Sequence, residues 1–136
     1  MISPWVAILA LIGLADALWI LSRKLTGRKL HCILGDDCDR VVRSKYGSLL
    51  FRIPNEAIGA LFYLGLLGAV LWEAFAGPVL LGTELLLLLR VAAVLSAILS
   101  LFLLAIQALA LKEWCEWCLV AIVVNILIAL LVWGLP

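Results

Sequence analysis

Four runs of apolar residues, each long enough to cross a lipid bilayer, constrain this chain more than any other feature. They cover residues 5–22, 56–76, 85–111 and 115–134. A bilayer core needs about 20 such residues per helical crossing. Backbone N–H and C=O groups find no water in hydrocarbon, so each run must pair its own backbone as a helix. None has the broad polar face of an amphipathic surface helix. The expected fold is therefore an all-α membrane protein, a four-transmembrane-helix bundle, with residues 1–136 forming a single integral membrane domain. Composition agrees: 67% of residues are hydrophobic and 14% charged, too little charge to cover a water-facing surface on a domain this small. The net charge of +1 gives no electrostatic attraction for nucleic acid. The first run has its cations after the apolar stretch, at Arg23 and Lys24, and lacks a small-residue cleavage site. It reads as a retained first helix, not a signal peptide.

The connections differ in kind. Residues 23–55 form a long polar loop between the first two spans and hold eight of the ten basic residues. Within it Val41, Val42, Tyr46, Leu49, Leu50 and Phe51 lie among cations, a pattern expected of a segment resting on the membrane surface. Pro54 imposes an extended entry to the second span, and Asn55 can cap it. Gly77, Pro78 and Gly82 mark a short turn before the third span. The connection Lys112–Trp117 is barely a turn.

The cysteines are placed so that chain direction alone brings them together. Cys32 and Cys38 lie in the first connection, and Cys115 and Cys118 lie at the start of the fourth span. Helices reverse at each crossing, so the first and third connections share one membrane face, and all four thiols sit on it. Cys115 and Cys118 are spaced i, i+3 and share a helix face. Cys115, near a helix N-terminus, is favoured as the thiolate, the attacking species in disulfide exchange. Cys118 is one turn deeper, closer to lipid. Such a pair can take electrons from a water-side thiol and offer a sulfur to an acceptor dissolved in the bilayer, and a quinone is the natural two-electron acceptor there. Four cysteines allow three pairings. Cys32–Cys38 with Cys115–Cys118 is one resting arrangement. Cys38–Cys115 is the expected transfer intermediate, because one pair must reduce the other. Two structural disulfides in a transport or structural membrane protein are the bland alternative. A four-cysteine zinc site is disfavoured by the loose loop spacing and the depth of the second pair, and no metal is expected.

These residues together resemble the vitamin K epoxide reductase family, in the prokaryotic or archaeal form without a fused thioredoxin domain. The resemblance rests on Cys32, Cys38, the stretch DRVVRSKYGSLLFRIPNEAIGALFYL and the motif WCEWCLVAIVVN. It implies a four-helix bundle around a quinone (menaquinone, ubiquinone or a relative) and a separate soluble thioredoxin-like partner. Cys118 would face the quinone and form an adduct with it, and Cys115 would exchange with Cys38. Cys32 would meet the partner's cysteine, and Asn55 would hydrogen-bond a quinone carbonyl. The expected activity is that of a quinone-linked thiol–disulfide oxidoreductase. Animal members carry a tyrosine four residues after the second motif cysteine, where this chain has Ile122. That difference favours plain quinone reduction over vitamin K epoxide reduction. Trp114 and Trp117 flank the motif and are expected to wall the quinone pocket, with Ile122 lining it.

Sidedness follows from charge. Nine of the ten Lys and Arg lie toward the cysteine face, and Arg90 alone toward the other. The positive-inside rule then places the cysteines in the cytoplasm, against the family's extracytoplasmic habit. Cytoplasmic disulfide generation suits hyperthermophiles, and the scarcity of Asn, Gln and Met points the same way. Of the remaining polar residues, Asp16 is expected at the bundle interior, hydrogen-bonded or protonated. His31 beside Cys32 is expected to be incidental. The Trp residues near span ends form interfacial belts. Gly59, Gly65 and Gly68 are expected to permit close helix packing.

Overall fold

The computed structural model describes residues 2, 4–30, 32–33, 38–47, 53–80 and 83–134. His31, Leu49, Leu50, Phe51, Arg52 and Gly82 lie outside the described residues. The chain runs α1 (Pro4–Leu25), α2 (Cys38–Arg43), a 3-10 turn (Lys45–Gly47), α3 (Asn55–Ala76), α4 (Leu85–Ala105) with a π-helical extension (Ile106–Leu111), and α5 (Glu116–Gly134). Helices α1, α3, α4 with its extension, and α5 are long and apolar enough to cross a membrane. They match the four expected spans to within three residues at each end. Between α3 and α4, Val79 pairs with Glu84 and Leu80 with Thr83 in a two-residue antiparallel ladder. The sequence gives no sign of this ladder, because two residues are too few to show alternation.

Local chemistry sets the helix ends. Pro4 opens α1, where its missing N–H would be unpaired anyway. The helix stops at Gly27, which adopts φ +70°, while the Arg28 N–H reaches back to the Arg23 carbonyl at 3.0 Å and closes the end. Arg23 and Lys24 in the last turn complement the helix dipole. Asn55 does not cap α3. Pro54 occupies that position without a side-chain cap, and the Asn55 amide instead donates to the Tyr46 carbonyl at 2.7 Å.

Lipid removes most of the hydrophobic drive between helices, so close van der Waals packing must hold them. The buried side of α1 is Val6, Ala10, Gly13, Asp16, Ala17 and Ile20, a stripe at three- and four-residue spacing. It packs against α3 and α5, and α4 packs mainly on α5. Small residues dominate these seams: Ala10, Gly13, Ala17, Ala60, Ala69 and Ala93. Large apolar side chains such as Leu11, Leu61, Leu95 and Leu130 face outward. Gly13 packs against the Tyr63 ring, and a Cβ there would clash with the ring atoms. Gly65 and Gly68 do not serve close packing as expected, since among the described residues no atom lies within 4 Å of an added Cβ at either. They border an open apolar groove between α3 and α4.

Gly13→Ala is expected to cost about 1–3 kcal/mol through overpacking, read as a lowered unfolding midpoint in detergent. Gly65→Ala, with open space around it, is expected to be neutral or slightly stabilising.

Candidate functional site

The described part of the first loop folds over one end of the bundle, and charged contacts hold it there. Arg43 donates to the carbonyls of Arg23 at 3.2 Å and Arg28 at 2.8 Å, and its Nε bonds the Asp39 carboxylate at 2.8 Å. Asp39 also accepts the Leu30 N–H at 3.1 Å. Burial works against the Asp39 carboxylate, but these hydrogen bonds and the charges of Arg43 and Lys29 outweigh it and hold the group below its usual value. Arg40 pairs with Glu113 at 2.5 Å, and Glu116 accepts the Ile33 N–H. Both contacts join the loop to the α4–α5 connection. Lys24 and Glu56 bridge α1 to α3 at 3.0 Å.

This clamp brings the four cysteines into one cluster. Cys38 and Cys115 are fully buried among Ile20, Leu30, Val41 and Val42, with Cys32, Cys118, Leu111 and Trp117 packed against them. Cys32 and Cys38 form a disulfide with Cα atoms 5.5 Å apart. Cys115 and Cys118 are free thiols. The Cys32 sulfur lies 4.0 Å from the Trp114 carbonyl oxygen, so the loop disulfide rests directly on the second cysteine motif.

Cys115 stands at the threshold of α5. Its carbonyl accepts the Leu119 N–H at 2.9 Å, the first bond of the helix, while its Sγ accepts the Cys118 N–H at 3.3 Å. A sulfur in this position does what a capping oxygen does, satisfying an N–H that the helix leaves unpaired. Its own N–H donates to the Gln107 side-chain carbonyl at 2.9 Å. Gln107 reaches it from the π-helical turn that ends the third span, and the left-handed backbone of Lys112 (φ 54°) then reverses the chain. The Cys118 thiol hydrogen bond lowers the Cys115 pKa; burial raises it, and the backbone N–H groups of Cys118 and Trp117 lower it further, so the thiolate is favoured.

Cys118 opens on the other side of the cluster. It lines a cavity of about 420 Å³ inside the bundle together with Asp16, Asn55, Glu56, Tyr63, Ser100, Gln107, Ile122 and Asn125, among apolar side chains of α1, α3, α4 and α5. Tyr63 donates to Asn125 at 2.6 Å, and Asn125 donates to Ser100 at 2.8 Å. Asp16 is buried in the bundle interior as expected, but of the two expected states the hydrogen-bonded one is not found: among the described residues neither of its oxygens has a hydrogen-bond partner. Asn55 and Ile122 thus share the cavity with Cys118. Trp117 is not among the residues lining it, because its indole turns to the Trp19 ring at 6.0 Å. Trp114 is partly exposed at the loop interface and does not line it either.

Residues 4–133 match the family model described as the Vitamin K epoxide reductase family. The chain belongs to that family. None of the curated proteins matches it. Membership of this quinone-associated family supports an oxidoreductase function, and four apolar helices fit a multi-pass membrane protein. The family's quinone suits what the cavity offers. It is a largely apolar space with a thiol-bearing residue in its wall, and Asp16, which also lines it, has a buried carboxyl without a hydrogen-bond partner among the described residues. The Tyr63–Asn125–Ser100 chain was not read from the sequence as part of a site. Its signal was available, since polar residues inside otherwise apolar spans are costly and commonly line a functional interior.

Alkylation of reduced Cys115 by a small haloacetamide is expected to speed up with rising pH, because only the thiolate reacts. Its midpoint should fall below that of an ordinary thiol. Cys118→Ala removes the largest lowering influence and should move the midpoint up. Mass-spectrometric rates between about pH 6 and about pH 10 bracket the ordinary thiol value and check both.

Proposed function

We propose that this protein passes electrons from a separate thioredoxin-like thiol partner through Cys32/Cys38 to Cys115/Cys118, and from there to a quinone held in the bundle cavity. The observation that carries the reading is the sulfur cluster itself. An oxidised outer pair lies against a reduced inner pair, and one sulfur of the inner pair lines an apolar cavity.

The sulfurs differ in access, and the order of steps follows from that. Cys32 is partly exposed while Cys38 is buried, so a partner thiolate reaches Cys32 first. Attack there forms a mixed disulfide and releases the Cys38 thiolate into the buried cluster. When the inner pair is oxidised, Cys38 attacks Cys115, the S–S bond to Cys118 breaks, and Cys118 leaves with the electron pair. The partner's second thiol attacks its own sulfur in the mixed disulfide, so the partner leaves oxidised and Cys32 is freed; the Cys32 thiolate then attacks Cys38, re-forming the loop disulfide and releasing Cys115. The inner pair then holds the two electrons, the reduced state of Cys115 and Cys118 seen here. A bound quinone supplies a two-electron, two-proton acceptor. Asn55 would hold it by a carbonyl oxygen, Ile122 would pack against it, and Cys118 would present its sulfur. The apolar walls keep water from the sulfur during transfer.

The charge asymmetry supports a membrane placement with the cysteine face in the cytoplasm. An impermeant thiol label applied to intact cells should then leave reduced Cys32 unmodified, and external labelling of Cys32 would reverse the orientation.

Purified protein given a reduced dithiol donor and a short-chain naphthoquinone is expected to reduce the quinone, followed by absorbance. Cys118→Ala should bring the rate to background while the donor still opens the Cys32–Cys38 disulfide. Undiminished quinone reduction by Cys118→Ala would overturn the proposal.

A further inference from the structure

Asp16 sits past the middle of α1 and is 7% exposed. The polar groups around it are engaged: Tyr63 with Asn125, Asn125 with Ser100, Gln107 with the Cys115 N–H, and Glu56 with Lys24. Both Asp16 oxygens lack a partner among the described residues, yet the side chain lines the cavity that Cys118 also lines. A bare carboxylate within a bilayer bears a large desolvation cost. The neutral acid bears far less, but its O–H still needs an acceptor. A ligand whose carbonyl oxygen accepts that hydrogen bond, and then the proton, completes the site.

We propose that Asp16 is the proton donor to the quinone carbonyl beside Cys118. The inference rests on the quinone reading above and adds to it the route of a proton. As the Cys115–Cys118 bond forms, the dithiol loses two electrons and two protons, and the quinone gains the same number. The Asp16 carboxyl gives one proton to the quinone oxygen, and the resulting carboxylate takes the proton leaving the Cys118 thiol, so Asp16 ends as it began. Cys115 has released its proton to water at the cysteine face, and the second quinone oxygen draws an equivalent proton from that water.

The groups facing Asp16 fit a single titrating donor. Around the cavity, α3 offers Tyr63 and Glu56, the latter held by Lys24 of α1, and α5 offers Cys118. From α4 come Ser96 and Ser100, which carry no charge, and the loop adds Val41, Val42 and Tyr46. A donor must be protonated to act, so the wild-type rate should fall as pH rises through the Asp16 titration. At lower pH the rate should fall because the thiolates are lost. The profile is bell-shaped.

Asp16→Asn keeps the shape and removes the proton. Its quinone reduction is expected to drop about 100-fold, within the range for general acid catalysis, and to lose the alkaline limb. Asp16→Glu should restore the limb and part of the rate. Opening of the Cys32–Cys38 disulfide by the dithiol should be unchanged in both. Infrared difference spectra of wild-type protein should show a protonated-carboxyl stretch that shifts when the naphthoquinone binds and is missing from Asp16→Asn. Wild-type rate and pH profile in Asp16→Asn, or no such band in the wild type, overturn the proton donor alone. A wild-type protein that reduces no quinone overturns the reading beneath it, and the donor with it.

Discussion

The start of α5 is the point on which the site depends. Cys115 closes the first bond of the helix through its carbonyl, caps the Cys118 N–H with its sulfur, and is held from behind by Gln107. Three hydrogen bonds therefore fix one sulfur in the buried cluster. Helical geometry then sets the other one turn away, against the cavity. The π-helical turn at Ile106–Leu111 belongs to the same arrangement. Its wider winding brings Gln107, which is buried at the end of its span, within reach of the Cys115 N–H. Helix termini leave N–H groups unpaired, and here that general deficit is met by a residue with redox chemistry.

Around this point the bundle and the loop are held by different forces. The helices pack through small residues, because lipid leaves little hydrophobic gain to spend at their seams. Gly13 is the clearest case: its missing side chain admits the Tyr63 ring, and Tyr63 in turn anchors Asn125 and Ser100. The loop uses charge. Arg40 with Glu113, and Arg43 with Asp39 and two carbonyls at the end of α1, draw the outer disulfide onto the inner thiols. Exposed pairs of this kind contribute little individually. Several together on one short segment orient it over the end of the bundle.

Much of the fold was legible from hydropathy. The four spans, their lengths and the shared face of the cysteines follow from uninterrupted apolar runs and from the reversal of direction at each crossing. The loop pair and the C-x-x-C were equally plain. The environment of single side chains was less so. Asn55 reads both as a helix cap and as a quinone contact; it lines the cavity, but in place of capping α3 it ties that helix to the loop. Trp117 reads as a pocket wall, yet it packs on Trp19. Gly65 and Gly68 read as packing glycines, yet they border an open groove. In each case the residue type allowed two uses, and the choice depended on which helix lay opposite.

The sequence by itself determined four spans long and apolar enough to cross a membrane, with the thiols at one end of them, because apolar length and chain direction are local properties. Only the tertiary structure decided that Tyr63, Asn125 and Ser100 line the cavity as one hydrogen-bonded chain, and that Asp16 lines it with no hydrogen-bond partner among the described residues. Those outcomes depend on the rotation of each helix about its axis and on its neighbour, and residues far apart in the chain set both.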